Sequence, residues 1–193
     1  GYATEFMERF GFDPKKLPRE LSLVLGTNSA TPIQMATAYA VYASGGHKLE
    51  PYFISRVEDT EHNVLERANP FVVCDDCDKK KPVPRSAKET KNPEPDTRYA
   101  ERVLSPQLSF LMTSILRDVI RYGTGQAAGQ LGRKDLAGKT GTTNDYRDAW
   151  FSGYNADLVT TSWIGFDQPA SMGRAETGGR AALPMWIEYM RVA

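Results

Sequence analysis

Lys139-Thr140-Gly141, followed by Thr142 and Thr143, is the stretch of this chain best equipped for chemistry. On an extended strand, alternate side chains share a face, so Lys139 and Gly141 fall on one and Thr140 and Thr142 on the other. Lys139 brings a fixed positive charge to a substrate carboxylate. A strand edge offers backbone N–H and C=O groups to an extended peptide. Gly141 removes a side chain where a ligand backbone must come close, and a backbone N–H here would supply half of an oxyanion hole. Such a wall suits an anionic acyl donor held beside a nucleophilic serine. The serine itself would come in a Ser-x-x-Lys group, with a Ser-x-Asn group as its companion. No serine of this sequence is followed three residues later by lysine or two later by asparagine. The chain carries one wall of an active site and not its nucleophile.

Other chemistries fit less well. Gly138-Lys139-Thr140 ends like a nucleotide-binding Gly-x4-Gly-Lys-Ser/Thr loop, but the first glycine would have to stand at Arg133. That loop also needs a helix after its lysine, so that the helix N-terminus faces phosphate, whereas strand-like sequence follows here. Cys74 and Cys77 form Cys-Asp-Asp-Cys, and Asp75, Asp76 and Asp78 oppose the thiolate that a redox pair requires. A zinc site wants about four ligands, and only His47 and His62 are left to help. A local disulfide and two free thiols both remain open. The histidines read as ordinary surface residues, Asp145, Arg147 and Asp148 as turn caps or a structural ion pair, and Trp150 and Trp163 as sheet packing.

The elements that must hold this wall follow from pattern. The chain has 193 residues, 40% hydrophobic and 25% charged, which fits one domain or a large piece of one. Lys plus Arg and Asp plus Glu balance at 24 each, so nothing pulls the chain toward nucleic acid. Lys79-Lys80-Lys81 reads as a solvated charge run. No apolar run is long enough to span a bilayer. Gly1-Tyr2-Ala3-Thr4-Glu5 is no signal peptide and there is no starting Met, so the natural N-terminus is expected to be missing.

Tyr2, Phe6 and Phe10 predict a first helix stopped by Gly11, and Pro14 and Pro18 an irregular link. Thr31, Pro32 and Gln34 make a capping box for a second helix ended by Gly45-Gly46, with Ile33, Ala36, Thr37, Ala40 and Val41 as its packing face. Residues 52–57 and 63–66 predict a hairpin, and the proline-rich, charged stretch 69–101 a long exposed loop. Ser105-Pro106 opens the longest helix. Its stripe of Leu108, Leu111, Met112, Ile115, Leu116, Val119 and Ile120 predicts a core-facing side, ended by Gly123. A helical turn is expected at 126–131. Three strands, 136–143, 148–154 and 158–166, are joined by short polar turns and form an antiparallel meander. A last helix starts at Pro184. The fold class is α+β.

The run 131–154 resembles the third motif of class A penicillin-binding proteins. Further stretches agree: Leu25-Gly26, Thr31-Pro32-Ile33-Gln34-Met35-Ala36 and Tyr39-Ala40, then Gly123-Thr124-Gly125, and finally Trp163-Ile164-Gly165-Phe166-Asp167, Thr177-Gly178-Gly179-Arg180 and Pro184-Met185-Trp186. The resemblance covers nearly the whole chain apart from 69–101. It implies part of a transpeptidase domain in a membrane-anchored, periplasm-facing synthase whose other domain polymerises glycan. The family's serine attacks D-alanyl-D-alanine, releases D-alanine and passes the acyl group to an amine of a neighbouring peptidoglycan stem. β-Lactams acylate the same serine.

Carried onto this sequence, the resemblance implies that Lys139 shapes the electrostatics and assists proton transfer. Thr140 and Thr142 hold the carboxylate of substrate or β-lactam, with Gly141 and Thr143 completing the substrate-binding run. The N–H of Thr142 joins the oxyanion hole. No metal and no cofactor is expected. The implied partners are stem peptides, β-lactams and the missing N-terminal half of the same domain, which would bear the nucleophile. A non-catalytic fold-mate used for binding or scaffolding is the alternative. A class A β-lactamase is disfavoured because the stretches around Thr31 and Trp150 look like the synthase.

Overall fold

The computed structural model describes residues 1–74 and 97–193. A three-stranded antiparallel meander lies at its centre: β5 (Ala137–Thr142), β6 (Asp148–Tyr154) and β7 (Val159–Gly165), in the order β5-β6-β7. Ahead of it in the chain come α1 (Tyr2–Glu8), a 3-10 turn at Leu21–Leu25 and α2 (Pro32–Ala43). Two small strand pairs follow: β1 (Arg56–Glu58) with β2 (Val64–Arg67), and β3 (Phe71–Val72) with β4 (Arg98–Tyr99). The long helix α3 (Pro106–Tyr122) then leads through a 3-10 turn, Gln126–Leu131, into β5. After β7, a π turn at Gly178–Ala182 runs directly into α4 (Leu183–Val192). This is the α+β arrangement expected.

Each face of the meander is covered by different elements. Residues opposite one another in an antiparallel pair point to the same side. On one side, Phe151 meets Trp186 of α4 edge-on with ring centroids 4.9 Å apart, amid Leu183, Ile187, Met190 and Leu136. On the other, Ala137 and Tyr154 pack with Leu116 of α3 and with Tyr39 and Tyr42 of α2. A separate cluster of Phe10, Phe12, Leu17, Leu23, Val41 and Leu104 ties α1 and the 3-10 turn to α2. The capping box of α2 forms as predicted: Thr31 Oγ1 accepts from Gln34 N and Gln34 Oε1 accepts from Thr31 N. Its buried positions are Ala38 and Val41.

Several expectations need correction. The apolar stripe of α3 is split. Leu116 and Ile120 are buried, but Leu108, Leu111 and Ile115 are 51%, 54% and 57% exposed, because among the described residues no element covers that side. The first hairpin strand begins four residues late. Its partner β2 ends at Arg67, and among the described residues Tyr52, Phe53 and Ile54 have no strand beside them and stand exposed. The ends of the expected 69–101 loop are paired: β3 and β4 run parallel, and the Arg98 guanidinium sits 3.8 Å from the Phe71 ring centroid. Most of that loop, including Lys79-Lys80-Lys81, lies outside the described residues.

His47 is buried rather than on the surface. A bridge to Arg102 draws it in, and its Nδ1 lies 2.9 Å from the Ser44 carbonyl oxygen. Cys74 is disulfide-bonded, which resolves the alternative left open, while Cys77 falls outside the described residues. No helix among the described residues is long and apolar enough to cross a membrane.

Candidate active site

β5 carries the Lys-Thr-Gly wall and is an edge strand among the described residues. Lys139 pairs with Ser152, Thr140 with Phe151, Gly141 with Trp150 and Thr142 with Ala149. Thr140 and Thr142 therefore lie on the α4 side of the sheet and Lys139 and Gly141 on the α3 side, as the alternation requires.

The backbone alternates too. Thr143 N–H donates to Asp148 O at 3.0 Å, toward β6. Peptide groups along a strand point to opposite edges in turn, so the N–H and C=O of Thr142 and Thr140 face the open edge. Lys139 Nζ fits this geometry. It donates to Thr140 O at 2.9 Å and to Thr140 Oγ1 at 3.3 Å, at that same edge, and forms no ion pair among the described residues. Among the described residues, one edge thus gathers an ammonium group, a threonine hydroxyl and two outward-facing N–H groups.

Thr142 Oγ1 accepts the N–H of Gly178 at 3.0 Å. A hydroxyl has one proton and two lone pairs, so its proton stays free to donate. Thr143 is occupied differently. Its Oγ1 accepts from Asp148 N at 2.7 Å and braces the β5–β6 turn. Asp148 also accepts from Trp163 Nε1 at 2.9 Å, and Arg147 pairs with Asp145 at 3.4 Å, so these residues serve the turn as predicted.

Two further segments complete the wall, and the sequence reading did not count them as site residues. Thr124, in the Gly-Thr-Gly after α3, lies with its Oγ1 2.6 Å from Thr140 Oγ1. Gly178 lies so close that an added Cβ would stand 2.3 Å from Trp150 O and 2.4 Å from Gly141 O. The signal for both was available in the glycines of Gly123-Thr124-Gly125 and Thr177-Gly178-Gly179, which mark close backbone approach.

Titration shifts lie around this wall. At the entry to β5, Arg133 Nη2 meets Asp135 Oδ2 at 2.6 Å, and this bond holds the Asp135 carboxyl below the usual carboxylate range. Behind the sheet, burial pushes the hydroxyls of Tyr39, Tyr42 and Tyr154 up.

With this geometry in view, the penicillin binding protein transpeptidase domain family matches residues 7–177. The chain belongs to that family. Among curated penicillin-binding relatives, penicillin-binding protein 1A of Pseudomonas aeruginosa is 44% identical over 217 aligned residues, covering 99% of this chain and 26% of that protein. Penicillin-binding protein 1A of Neisseria lactamica is 42% identical across the whole chain and 21% of its own length. The crystal structure of penicillin-binding protein 1A from Haemophilus influenzae superposes with a TM-score of 0.85 at 38% identity, covering 99% of this chain and 30% of that one. The chain spans about a fifth to a quarter of the length of the curated penicillin-binding proteins it matches.

Proposed function

We propose that this chain supplies the substrate-binding wall of a peptidoglycan D,D-transpeptidase, with the nucleophilic serine coming from residues beyond these 193. The open edge of β5 is the observation that carries the reading. It offers the N–H and C=O of Thr140 and Thr142 to an extended stem peptide, with the Lys139 ammonium beside the Thr140 hydroxyl. The hydroxyls of Thr140 and Thr142 bind the terminal carboxylate, and the Thr142 N–H stabilises the oxyanion.

In the reaction, the serine oxygen attacks the penultimate D-alanine carbonyl as its proton is taken up by a base. The peptide C–N bond breaks, and the released D-alanine amine gains a proton. An amine of a second stem then attacks the acyl-serine ester and returns the serine hydroxyl. Lys139 steadies the negative charge and assists the proton's passage. A β-lactam follows the first half: its ring amide opens and the acyl group stays on serine. The natural setting is a membrane-anchored, periplasm-facing bifunctional synthase.

Two observations support a further part of the domain packing on this one. Among the described residues, the outer side of α3 is left uncovered, and Arg117 Nε, beside an open groove of about 580 Å³ between α2 and α3, is buried without a hydrogen-bond partner. The test is intact-mass spectrometry after incubation with penicillin. The 193 residues alone should stay unmodified, and the longer protein that contains them should gain one adduct. An adduct on these residues alone would overturn the division of labour. No adduct on the longer protein would favour a non-catalytic fold-mate.

A further inference from the structure

Thr124 does not belong to the Lys-Thr-Gly triplet, yet it makes the shortest hydroxyl–hydroxyl contact in the site, 2.6 Å to Thr140 Oγ1. It is also firmly held. The N–H groups of Gly123 and Gly125, on either side of it, both donate to Val119 O, at 3.1 and 3.0 Å, and so pin the turn to the end of α3. A Cβ on Gly123 would come within 2.9 Å of that oxygen, and one on Gly125 within 3.3 Å of Phe151 Cε2. From the far side, Gly179 closes on Thr124, where an added Cβ would stand 2.8 Å from the Thr124 carbonyl oxygen. Three glycines thus hold one threonine against the triplet.

Hydrogen-bond polarity gives this contact a consequence. Lys139 Nζ has only protons to give, and it occupies one lone pair of Thr140 Oγ1. If Thr124 accepts from Thr140, the single Thr140 proton is used up and the hydroxyl offers only a lone pair. A carboxylate, which also has only lone pairs, would be repelled. If Thr124 donates, both Thr140 lone pairs are filled and the Thr140 proton points outward as a donor.

We propose that Thr124 is a positioning residue that donates to Thr140 and thereby makes the Thr140 hydroxyl a donor to the carboxylate of the acyl donor. This rests on the transpeptidase reading given above. It does not make Thr124 a catalytic residue, since Thr124 acts through Thr140.

The test uses the longer protein with Thr124→Val, which keeps the shape and removes the hydroxyl, and Thr124→Ser, which keeps the hydroxyl. Acylation rates are measured with a penicillin and with its methyl ester, which lacks the anionic carboxylate. Thr124→Val should lower the acid-to-ester rate ratio about tenfold, the effect of one hydrogen bond to a charged group. Thr124→Ser should restore it to within about twofold, and Thr124→Val combined with Thr140→Val should be no slower than Thr140→Val alone, because coupled sites are not additive. Thr124→Ala serves as a second hydroxyl deletion should the valine variant fail to fold.

Equal slowing with acid and ester, or fully additive losses in the double variant, would overturn the proposal and leave the transpeptidase reading standing. Wild-type protein that no penicillin acylates would overturn both.

Discussion

Gly178→Ala is the perturbation whose effect can be worked most fully from the structure. The new Cβ would stand 2.3 Å from Trp150 O and 2.4 Å from Gly141 O, where ordinary contact begins at 3.4 Å. Both neighbours are backbone atoms of the paired strands β5 and β6, so no side chain can turn aside to make room. The 177–179 segment must therefore back away from the sheet by about 1 Å. That displacement stretches the 3.0 Å bond from Gly178 N–H to Thr142 Oγ1 beyond hydrogen-bonding range. Overpacking of this kind costs about 1–3 kcal/mol, and the lost bond adds roughly 0.5–1.5 kcal/mol.

The chemical effect is expected to exceed the thermal one, since a misplacement of about 1 Å at an active site costs on the order of 10²-fold in rate. Gly129→Ala is the control: nothing lies within 4 Å of its added Cβ. The assay pairs the penicillin acylation rate with the unfolding midpoint for both variants in the longer protein. Gly178→Ala should lose most of its acylation rate and several degrees of midpoint, with Gly129→Ala unchanged in both. A Gly178→Ala protein that acylates as fast as Gly129→Ala would refute the claim that this segment presses on the substrate wall.

Other outcomes follow from the same geometry. Lys139→Ala in the longer protein should slow acylation on the order of 10²–10³-fold with no change in unfolding midpoint, because Lys139 is exposed and, among the described residues, bonds only to Thr140. Trp186→Ala should destabilise by about 3–5 kcal/mol, since the indole is fully buried against Phe151 and donates to Thr160 O; urea denaturation measures it. Arg133 lowers the folded-state pKa of Asp135, so that pair's contribution to stability is full above the unfolded carboxylate value of about 4 and is lost as pH falls through the folded one. Asp135→Asn should accordingly flatten the acid limb of the midpoint–pH curve, and an unchanged acid limb would contradict this.

The elements that position the site were legible in the sequence because their signals are local. The meander showed through β-branched strands and short polar turns, and its observed bounds differ from the prediction by a residue or so at each end. The caps at Thr31 and Ser105 likewise depend only on residues three positions away. What escaped notice depends on contacts distant in sequence. Periodicity marks the apolar side of α3 but cannot say what covers it, so the exposure of Leu108, Leu111 and Ile115 was not foreseen.

The burial of His47 comes from a bridge to Arg102, and the pairing of Phe71 with Arg98 spans a stretch whose composition reads as loop. In the candidate site, Lys139, Thr140 and Thr142 stand out from the Lys-Thr-Gly-Thr run itself. Thr124 and Gly178 were not, because they meet the triplet across 16 and 36 residues of chain. The bond from Asp148 N–H to Thr143 Oγ1, which braces the β5–β6 turn, likewise depends on a contact across the turn that the triplet does not reveal.

The central claim is that β5 is the surface on which an acyl donor's carboxylate is held. The most direct measurement is a crystal structure of the longer protein after acylation by a penicillin. The account predicts the ligand carboxylate within about 3 Å of Thr140 Oγ1 and Thr142 Oγ1, the acyl oxygen facing the Thr142 N–H, and Lys139 Nζ nearby. An acyl-enzyme whose carboxylate lies away from β5, with both threonine hydroxyls turned to protein partners, would contradict it.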